Sequence, residues 1–316
     1  MTPLRIGLVG AGAHAAEVIV PTLMSTPGIQ LAAICSRGSS AGELAAAWGV
    51  EGVQAEVEEF LKVGEFDAAV LCATPAAHEA ALAVAPEYGV SLFVENPPAF
   101  GAAAIRRFAQ DNAARPKPVT SFVDAHLRYA AMSRVALEHI TAHGRVLHVA
   151  MDCHTDEPRT TVWNRDLLDS FLLSSGIQPL AVMAELLGWP AADTLTSAEV
   201  TQTRKDDIFV TADFTTRTTR GSLRMSNTRN RFAFETTVTC ADGWSVSWTL
   251  DEVVVYRPGA PEEPRQTCSP LLFGGEKAGY SAAVREFRDA CLGKAESRST
   301  VEQNLVVMEW IERLRA

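Results

Sequence analysis

Several features that mark specialised proteins are missing from this sequence of 316 residues. It has no excess of basic residues, because 28 lysines and arginines stand against 38 aspartates and glutamates, a formal net charge of -10. Phosphate backbones recruit basic surfaces, so we expect no nucleic-acid partner. The sequence also shows no apolar run that approaches the ~20 residues needed to cross a bilayer, so we expect no membrane partner.

The sequence lacks the signals of secretion and of cysteine chemistry as well. Its first residues have no charged region, apolar core and small-residue cleavage site, which favours a cytoplasmic protein. Its six cysteines show no CxxC spacing, so we expect reduced thiols, no disulfide framework and no metal site. Cys153–Asp156 contains mixed metal-ligand types, but so few on one segment are weak evidence, and we expect a solvated loop there.

What the sequence does contain is an alternation of apolar runs and helical segments over its first third. We expect strands at about 4–10, 31–35, 68–72 and 91–95, with helices at about 13–25 and 40–48 and another between the last two strands. Near-continuous apolar strands between helices indicate a parallel sheet that is covered on both faces. The sequence therefore predicts an α/β Rossmann fold with a doubly wound parallel sheet.

After about residue 120 the pattern changes. We expect a helix near 130–142, a strand at 146–151 and an apolar helix at about 168–187. Alternation with period two follows from about 198 to 256, then a loop at 258–264 and closing helices near 281–291 and 301–315. This pattern predicts an α+β domain with an open antiparallel sheet. The expected domains are 1–120, which binds a nucleotide cofactor, and 121–316, which binds substrate and dimerises.

A glycine-rich turn joins the first strand to the first helix. Gly10–Ala15 has the pattern GxGxxA, in which the first glycine permits a tight turn and the second lets backbone approach a pyrophosphate. The helix N-terminus adds N–H donors and a favourable dipole. We therefore expect a dinucleotide to contact Gly10, Gly12, Ala13 and His14.

The end of the second strand indicates which dinucleotide is preferred. An acidic residue there would bind the ribose hydroxyls of NAD, whereas an arginine suits the 2′-phosphate of NADP. This sequence has Ser36 and Arg37, and no carboxylate before Glu43. A hydroxyl and a guanidinium suit a phosphate, so we favour NADP(H) over NAD(H).

Five motifs together resemble the Gfo/Idh/MocA oxidoreductases, which pair an N-terminal Rossmann domain with a C-terminal α+β domain. They are the glycine turn, the stretch 72–78 with Thr74, Pro75 and His78, the turn 94–97, the stretch 126–129, and Gly279–Tyr280 followed by Phe287. The resemblance covers almost the whole chain. It implies that Thr74, Pro75, His78, Glu95 and Asn96 lie beside the cofactor, and that His126–Tyr129 is a strand end lining the substrate pocket.

The same resemblance exposes departures at the positions that handle protons. Asn96 stands where the family has the lysine of a Glu-Lys-Pro turn. Ser174, Gln178 and Ala181 stand where the family has an aspartate, a histidine and a second aspartate on one helix. An acid or base needs a pKa near the working pH. Asn96 and Gln178 therefore remain catalytic candidates only as groups that position substrate or stabilise charge.

Other residues are candidates to replace the lost groups. His126 can titrate near neutrality, and Tyr129 and Asp124 are further acid–base candidates, although each can equally be a packed structural residue. Substrate binding is expected at four residues: Arg128, Trp163, Arg165 and Ser174. Arg165 could pair with a carboxylate, and surface placement is the alternative for it and for Trp163.

Three functions remain open on this evidence. The first is an NADP-dependent oxidoreductase acting on a small molecule, such as a sugar, amino-acid or secondary-metabolite derivative, with imine reduction as one possibility. The second is a non-redox lyase, cyclase or isomerase on the same fold, and the third is a non-catalytic NADP-binding sensor or partner subunit. We also expect a homodimer or homotetramer through the C-terminal sheet, because not all of its large aromatics can face inward. These are Phe232, Phe234, Trp244 and Trp248.

Overall fold

The structure is a computed structural model, and it describes residues 2–203, 206–260, 265–272 and 274–316. The chain forms two compact units. Unit 1 contains the residues up to Asp124 and the segment Tyr280–Leu305, and unit 2 contains Ala125–Gly279 and Val306–Ala316. Of the loop expected at 258–264, residues 261–264 lie outside the described residues.

A six-stranded sheet forms the centre of unit 1. Its strands are β1 Leu4–Val9, β2 Ile29–Ser36, β3 Glu51–Gln54, β4 Ala68–Leu71, β5 Ser91–Val94 and β6 Ser121–Val123. All neighbouring strands are parallel, in the order β3-β2-β1-β4-β5-β6. Every residue of β4 is buried, as expected of a strand with both faces covered. The doubly wound Rossmann sheet expected from the sequence is confirmed.

The helices of unit 1 connect these strands. They are α1 Val20–Ser25, α2 Ser40–Trp48, α3 Val57–Val63, α4 Pro75–Tyr88 and α5 Ala102–Ala113. A π-helical turn, Ala15–Ile19, precedes α1, so the helix expected from about residue 13 is not α-helical throughout. Thr74 caps α4 by accepting from Ala77 N, and Pro75 occupies its first turn, as suits a helix start.

Unit 2 is built on an eight-stranded sheet. Its strands are β7 Val146–His154, β8 Leu195–Gln202, β9 Ile208–Thr215, β10 Arg220–Ser226, β11 Ala233–Cys240, β12 Ser245–Thr249, β13 Glu252–Tyr256 and β14 Gln266–Thr267. The order is β14-β13-β12-β11-β7-β10-β9-β8, antiparallel except for the parallel pair β7 and β10. Cys153 and His154 end β7, so the loop expected at Cys153–Asp156 begins two residues later than predicted.

The helices of unit 2 cover one face of this sheet. They are α6 His126–Tyr129, α7 Ala131–Ala142, α8 Leu167–Phe171, α9 Ile177–Leu186 and α10 Gly274–Ala278, with a π-helical turn Leu172–Gly176 between α8 and α9. The stretch Leu167–Leu186 has a mean hydropathy of 1.4 and is long enough to cross a membrane, contrary to the sequence-based expectation. Because 78% of it is buried inside the protein, it is weak evidence for a membrane span.

The opposite face of the sheet in unit 2 is mainly polar, with Phe209 and Tyr256 as exposed aromatics. Phe234 and Trp248 are 4% and 1% exposed, so both belong to the core. Trp244 stacks on His143 at 4.0 Å, and only Phe232, which is 43% exposed, is a large exposed aromatic of the four. The open face instead carries hydroxyl pairs, such as those between β11 and β12. The aromatic argument for an apolar interface is therefore wrong for Phe234 and Trp248.

The last part of the chain returns to both units through α11 Tyr280–Cys291 and α12 Leu305–Arg315. The expected domain 121–316 did not include the return of residues 280–305 to unit 1. Its physical cause is specific packing. Phe287 lies 5.6 Å from Phe93 between ring centroids, and Glu302 accepts hydrogen bonds from Asn112 and Ser121.

Candidate functional site

The carboxyl ends of four parallel strands in unit 1 bring the candidate residues to one edge of the sheet. The last residues of β1, β4, β5 and β6 are register partners of one another across neighbouring strands. The residues that follow them therefore stand in a row: Gly10, Cys72, Glu95 and Asp124. Ligands of doubly wound sheets bind at this edge, where the strand order reverses.

The glycine turn has the shape that a pyrophosphate requires. Gly10 has a φ of +110°, and a Cβ there would lie 1.9 Å from Cys72 O, so only glycine fits. At Gly12, by contrast, no atom lies within 4 Å of the position of a Cβ. Backbone at Gly12 is thus open to a ligand, with Ala13 and His14 next to it at the start of the first helix. The turn fits a dinucleotide.

Ser36 and Arg37 lie at the end of β2, as expected. The Ser36 hydroxyl donates to Gly38 O at 2.8 Å and accepts from Ala41 N at 3.2 Å, so it shapes the local turn. Arg37 is exposed, and its carbonyl oxygen accepts a hydrogen bond from Gln54 Nε2 at 3.1 Å.

His78 joins two loops of unit 1 and is a structural residue. It is 1% exposed, and its Nε2 accepts from Ala73 N at 3.1 Å. The proton therefore resides on Nδ1, which donates to Pro97 O at 2.9 Å. Burial lowers the pKa of His78 to about 4, so the ring stays neutral near pH 7. His78 thus fixes the turn that contains Asn96 rather than exchanging protons.

Asn96 is held in place by the backbone of Asp124, the residue that follows β6. Its Nδ2 donates to Asp124 O at 2.7 Å, and its backbone N–H donates to the Glu95 carboxylate at 3.3 Å. The peptide bond from Asn96 to Pro97 is cis. An amide fixed in this way can orient a neighbouring group but cannot exchange a proton near neutral pH.

Glu95 and Asp124 form a buried carboxyl pair. They are 7% and 0% exposed, and each carboxyl group acts on the pKa of the other. Burial raises the pKa of Glu95 to about 7. Burial first, and then the charge of Glu95, raise the pKa of Asp124 well above its usual value. Two carboxyls in such contact cannot both be ionised at low cost, so the pair retains a proton near neutrality.

His14 connects the carboxyl pair to the glycine turn. Its Nε2 lies 3.2 Å from Glu95 Oε1, and its side chain is 44% exposed. The Tyr280 ring meets the His14 ring edge-on, with the ring centroids 5.7 Å apart. Burial lowers the pKa of His14, while the Asp124 carboxylate opposes that shift. Burial also raises the pKa of Tyr280 above its usual range, so its hydroxyl stays protonated.

In unit 2, His126 and Gln178 support a short helix rather than a strand end. His126–Tyr129 is the four-residue helix α6, which corrects the strand expected there. Its backbone turns helical after β6 because Arg128 N donates to Ala125 O at 3.0 Å. His126 Nδ1 lies 3.0 Å from Ala278 O, and Gln178 Oε1 accepts from Leu127 N at 3.4 Å. Gln178 therefore helps to hold the turn that carries His126.

Arg128 is engaged by other side chains of unit 2. It is 3% exposed, and its Nε and Nη2 donate to the two carboxylate oxygens of Glu185 at 2.9 and 2.8 Å. Its guanidinium carbon also lies 4.7 Å from the Trp189 ring centroid and 5.5 Å from that of Tyr129. Tyr129 is itself 2% exposed. These contacts favour a packing role for Arg128 over the expected binding of substrate.

The remaining candidates lie at the start of the apolar helical stretch. Ser174 is in the π-helical turn, and its hydroxyl donates to Ser170 O at 2.6 Å. Arg165 Nη1 lies 3.8 Å from Oδ2 of Asp169, which is four residues further along the chain. Trp163 has a φ of +52°, in the left-handed region that few non-glycine residues adopt.

The structure therefore brings the candidates together in two groups, one in each unit. Sequence reasoning included Glu95, His14 and Asp124, but not the contacts among them, and it gave Tyr280 no role in the site. Register was the available signal, because each of Glu95 and Asp124 directly follows the end of an apolar run. Among residues 2–203, 206–260, 265–272 and 274–316, no three His, Cys, Asp or Glu side chains are grouped to hold a metal ion.

Comparison with known proteins bears on what this site does. Residues 4–123 match the family model for Gfo/Idh/MocA, described as an oxidoreductase family with a NAD-binding Rossmann fold. No curated protein matches the sequence.

Solved structures share the fold over the whole chain. A dehydrogenase from Chromobacterium violaceum is 22% identical with a TM-score of 0.87, covering 100% of this chain and 95% of its own. GenD2 from gentamicin A biosynthesis, solved with NAD, is 22% identical with a TM-score of 0.79. The match covers 99% of this chain and 93% of the GenD2 chain. A variant of KijD10, a 3-ketoreductase from Actinomadura kijaniata solved with TDP-benzene and NADP, is 18% identical with a TM-score of 0.75. The match covers 99% of this chain and 97% of the KijD10 chain.

The matched residues coincide with the part of unit 1 that carries β1 to β6 and the glycine turn. The order of strands in both sheets agrees with the two-domain arrangement that the sequence motifs imply. Residues 4–123 thus match the NAD-binding Rossmann domain of the Gfo/Idh/MocA oxidoreductases, which confirms for this part of the chain the resemblance seen in the sequence.

Proposed function

We propose that the protein is an NADP(H)-dependent oxidoreductase that reduces a carbonyl or imine of a small molecule. The observation that carries the proposal is the glycine turn, where Gly10 packs on Cys72 O and Gly12 leaves backbone open to a pyrophosphate. A bound nicotinamide supplies the hydride, so the chain itself must orient the substrate and manage one proton.

NADP(H) is the proposed cofactor because of the chemistry at the end of β2. Arg37 is exposed there, and the residues from Ser36 to Gly42 carry no carboxylate that would repel a 2′-phosphate. An Arg37→Ala variant is expected to weaken NADPH binding about tenfold and to leave NADH binding almost unchanged. Equal losses for both cofactors would contradict the proposed preference.

The substrate class is proposed from the chemistry that remains. Asn96, Ser174 and Gln178 are neutral at the positions where the family has titratable groups. An iminium already carries its proton, so its reduction needs less acid assistance than that of a ketone. Two structural neighbours are named for gentamicin A biosynthesis and as a 3-ketoreductase. We therefore propose a modified sugar, or another amine- or carbonyl-bearing secondary metabolite.

The experiment that tests this function has two stages. Purified protein is first examined for bound nicotinamide by mass spectrometry, and then mixed with candidate carbonyl and imine substrates while the absorbance of NADPH is followed. Loss of that absorbance with formation of reduced product supports the proposal. Absence of any nicotinamide binding contradicts it. An Asn96→Lys variant that gains activity on ketones would show that the pocket retains dehydrogenase geometry.

A non-redox reaction is the second candidate. Its support is that Asn96 and Gln178 use their side chains in fixed hydrogen bonds to backbone, as expected of positioning groups. A lyase or isomerase would convert substrate with no net change in the cofactor. Product formation at constant NADPH would favour it over reduction.

We propose further that the protein forms a homodimer or homotetramer through the open face of the sheet in unit 2. The support is the composition of this face, which combines small hydroxyl side chains between β11 and β12 with exposed aromatics such as Phe209. Light scattering after size-exclusion chromatography is expected to give particles of at least twice 34.0 kDa. Particles of monomer mass alone would contradict the proposal.

A further inference from the structure

Two buried carboxyl groups lie at one edge of the parallel sheet, at positions where apolar side chains would pack equally well. Glu95 and Asp124 follow register partners on β5 and β6, so the parallel pairing of these strands brings the two side chains together. Both are more than nine-tenths buried. Buried charge is costly, and a carboxyl pair in an otherwise apolar setting is retained only where something stabilises it or uses it.

Glu95 and Asp124 share one proton, which avoids the cost of two adjacent buried negative charges. Glu95 and Asp124 are both buried at neighbouring strand ends, and two such carboxyls cannot both be ionised at low cost, so the pair keeps a proton. Asn96 N–H donates to Glu95 Oε2, and His14 Nε2 lies 3.2 Å from Glu95 Oε1, so a proton on Oε1 can face an unprotonated Nε2. One carboxyl thus stays protonated near neutral pH while the other stays ionised.

His14 connects the buried carboxyl pair to the surface of unit 1. Its Nε2 is 3.2 Å from Glu95 Oε1, whereas 44% of its side chain is exposed. It lies two residues after Gly12, on the turn whose open backbone fits the cofactor. The edge contact with the Tyr280 ring fixes the orientation of the imidazole. His14 is therefore the member of the cluster that both touches the carboxyl pair and reaches the ligand-binding edge of the sheet.

We propose that Glu95 and Asp124 store one proton and that His14 passes it to the substrate, in place of the lysine that Asn96 replaces. This proposal rests on the oxidoreductase function proposed above. His14 is the catalytic residue in this scheme, since it touches the substrate, and Glu95 and Asp124 act through it.

The step balances without a further reactant. When the substrate carbon gains the hydride, the electron pair of the C–O or C–N π bond moves to the oxygen or nitrogen. His14 donates the proton on Nδ1 to that atom, and its Nε2 accepts the proton from Glu95. The carboxyl pair is then doubly ionised, which burial disfavours, so one proton returns from water through His14 after the product leaves.

Other titratable groups of unit 1 surround the relay and set its charge. Cys72 and Tyr280 face the carboxyl pair from β4 and α11, and both remain neutral because burial and the nearby carboxylates raise the pKa of each. Glu17 acts on His14 from the first helix. Neutral neighbours leave Glu95, whose pKa burial raises to about 7, as the group of this cluster that titrates near neutrality.

The test compares four variants with the wild type: Glu95→Gln, Asp124→Asn, His14→Gln and the control Asp111→Asn. Asp111 is an exposed carboxylate of unit 1 that pairs with Arg107 at 3.6 Å. Infrared spectra of the cofactor-free protein are recorded from about pH 5 to pH 9. The wild type and Asp111→Asn are expected to lose a protonated carboxyl band near neutrality, and Glu95→Gln and Asp124→Asn to lack that transition.

The second readout is the pH profile of NADPH-dependent reduction. The wild-type rate is expected to fall as pH rises through neutrality, because the proton donor is then ionised. Each relay variant is expected to lose this dependence and about 100-fold in rate, while the NADPH affinity of Asp124→Asn, which is not at an expected cofactor contact, changes less than about threefold. Turnover that keeps the wild-type profile in Asp124→Asn and His14→Gln would overturn the relay alone, whereas failure to bind NADPH would overturn the proposed function. A wild-type spectrum with no carboxyl transition near neutrality would overturn the relay even if a variant failed to fold.

Discussion

At the scale of single residues, Gly10 and Gly12 are two positions apart in one turn, yet the structure gives each a different reason to be glycine. Gly10 has a positive φ and faces backbone at Cys72, whereas Gly12 faces open space. The first requirement belongs to folding and the second to the ligand. A pair of alanine substitutions separates them.

We expect Gly10→Ala to destabilise the protein by about 3 kcal/mol or more, because its Cβ would collide with Cys72 O. Gly12→Ala should change the free energy of unfolding by less than about 1 kcal/mol, but weaken NADPH binding about tenfold or more, since the methyl group occupies the approach of the pyrophosphate. Urea denaturation and calorimetric titration measure the two effects. Equal destabilisation by both substitutions would contradict this distinction.

Glu95 makes a second prediction at this scale. Its pKa is raised from 4.5 to about 7 by burial, so the folded state binds more protons than the unfolded state between these values. Its contribution therefore lowers the free energy of unfolding as pH rises from about 4.5 to about 7. Glu95→Gln should gain stability relative to the wild type over this range, by at most about 3 kcal/mol.

The measurement is urea denaturation of both proteins at several pH values. The difference between the two curves isolates Glu95 from His78, whose lowered pKa has the opposite effect on stability as pH rises. A difference that does not change with pH would show that Glu95 is ionised normally in the folded protein.

At the scale of elements, the strands that carry the site were predictable because each is a short, nearly continuous apolar run. Two strands of unit 1 were not expected, and both have physical reasons. Residues of β3 are mostly exposed, and β6 has only three residues. The helix α6 was expected to be a strand end because of the family resemblance at residues 126–129. Gln178 and Ala278, which hold the helix, are distant in sequence, so their contacts could not be predicted.

His78 connects two such elements and supplies a prediction. It bonds Ala73 N before α4 and Pro97 O after β5. His78→Ala removes the hydrogen-bond partner of the half-buried Ala73 N–H and of the buried Pro97 carbonyl, so we expect a loss of about 2 to 4 kcal/mol in unfolding free energy. The matched control is His148→Ala on β7, where the ring is exposed, with an expected change of at most about 0.5 kcal/mol. Denaturant unfolding measures both variants. Similar losses of unfolding free energy in the two would contradict the stabilising role of the two His78 hydrogen bonds.

At the scale of the whole molecule, the sequence predicted two domains but not their discontinuity. Periodicity describes each segment by itself, whereas the return of residues 280–305 depends on contacts with residues more than 150 positions earlier. The same limit applies to the site. Sequence motifs placed Glu95 and Asp124 in separate segments, and only strand order and register bring them together.

The discontinuity predicts how fragments of the chain behave. Val123 N donates to Ser299 O at 2.7 Å, and Phe287 packs on the sheet, so unit 1 needs its returning segment. A fragment of residues 1–124 is expected to show no cooperative unfolding transition. The same fragment joined to residues 280–305 by a flexible linker is expected to unfold cooperatively, as followed by circular dichroism. Cooperative unfolding of 1–124 alone would contradict the assignment of these units.

The central claim is that the glycine turn of unit 1 binds NADP(H), and calorimetric titration of the purified protein with NADPH and NADH tests it most directly. We predict saturable binding of NADPH with micromolar affinity, weaker binding of NADH, and loss of at least about tenfold in NADPH affinity in Gly12→Ala. The account would be contradicted by the absence of saturable binding of either cofactor, or by equal NADPH affinity in wild type and Gly12→Ala.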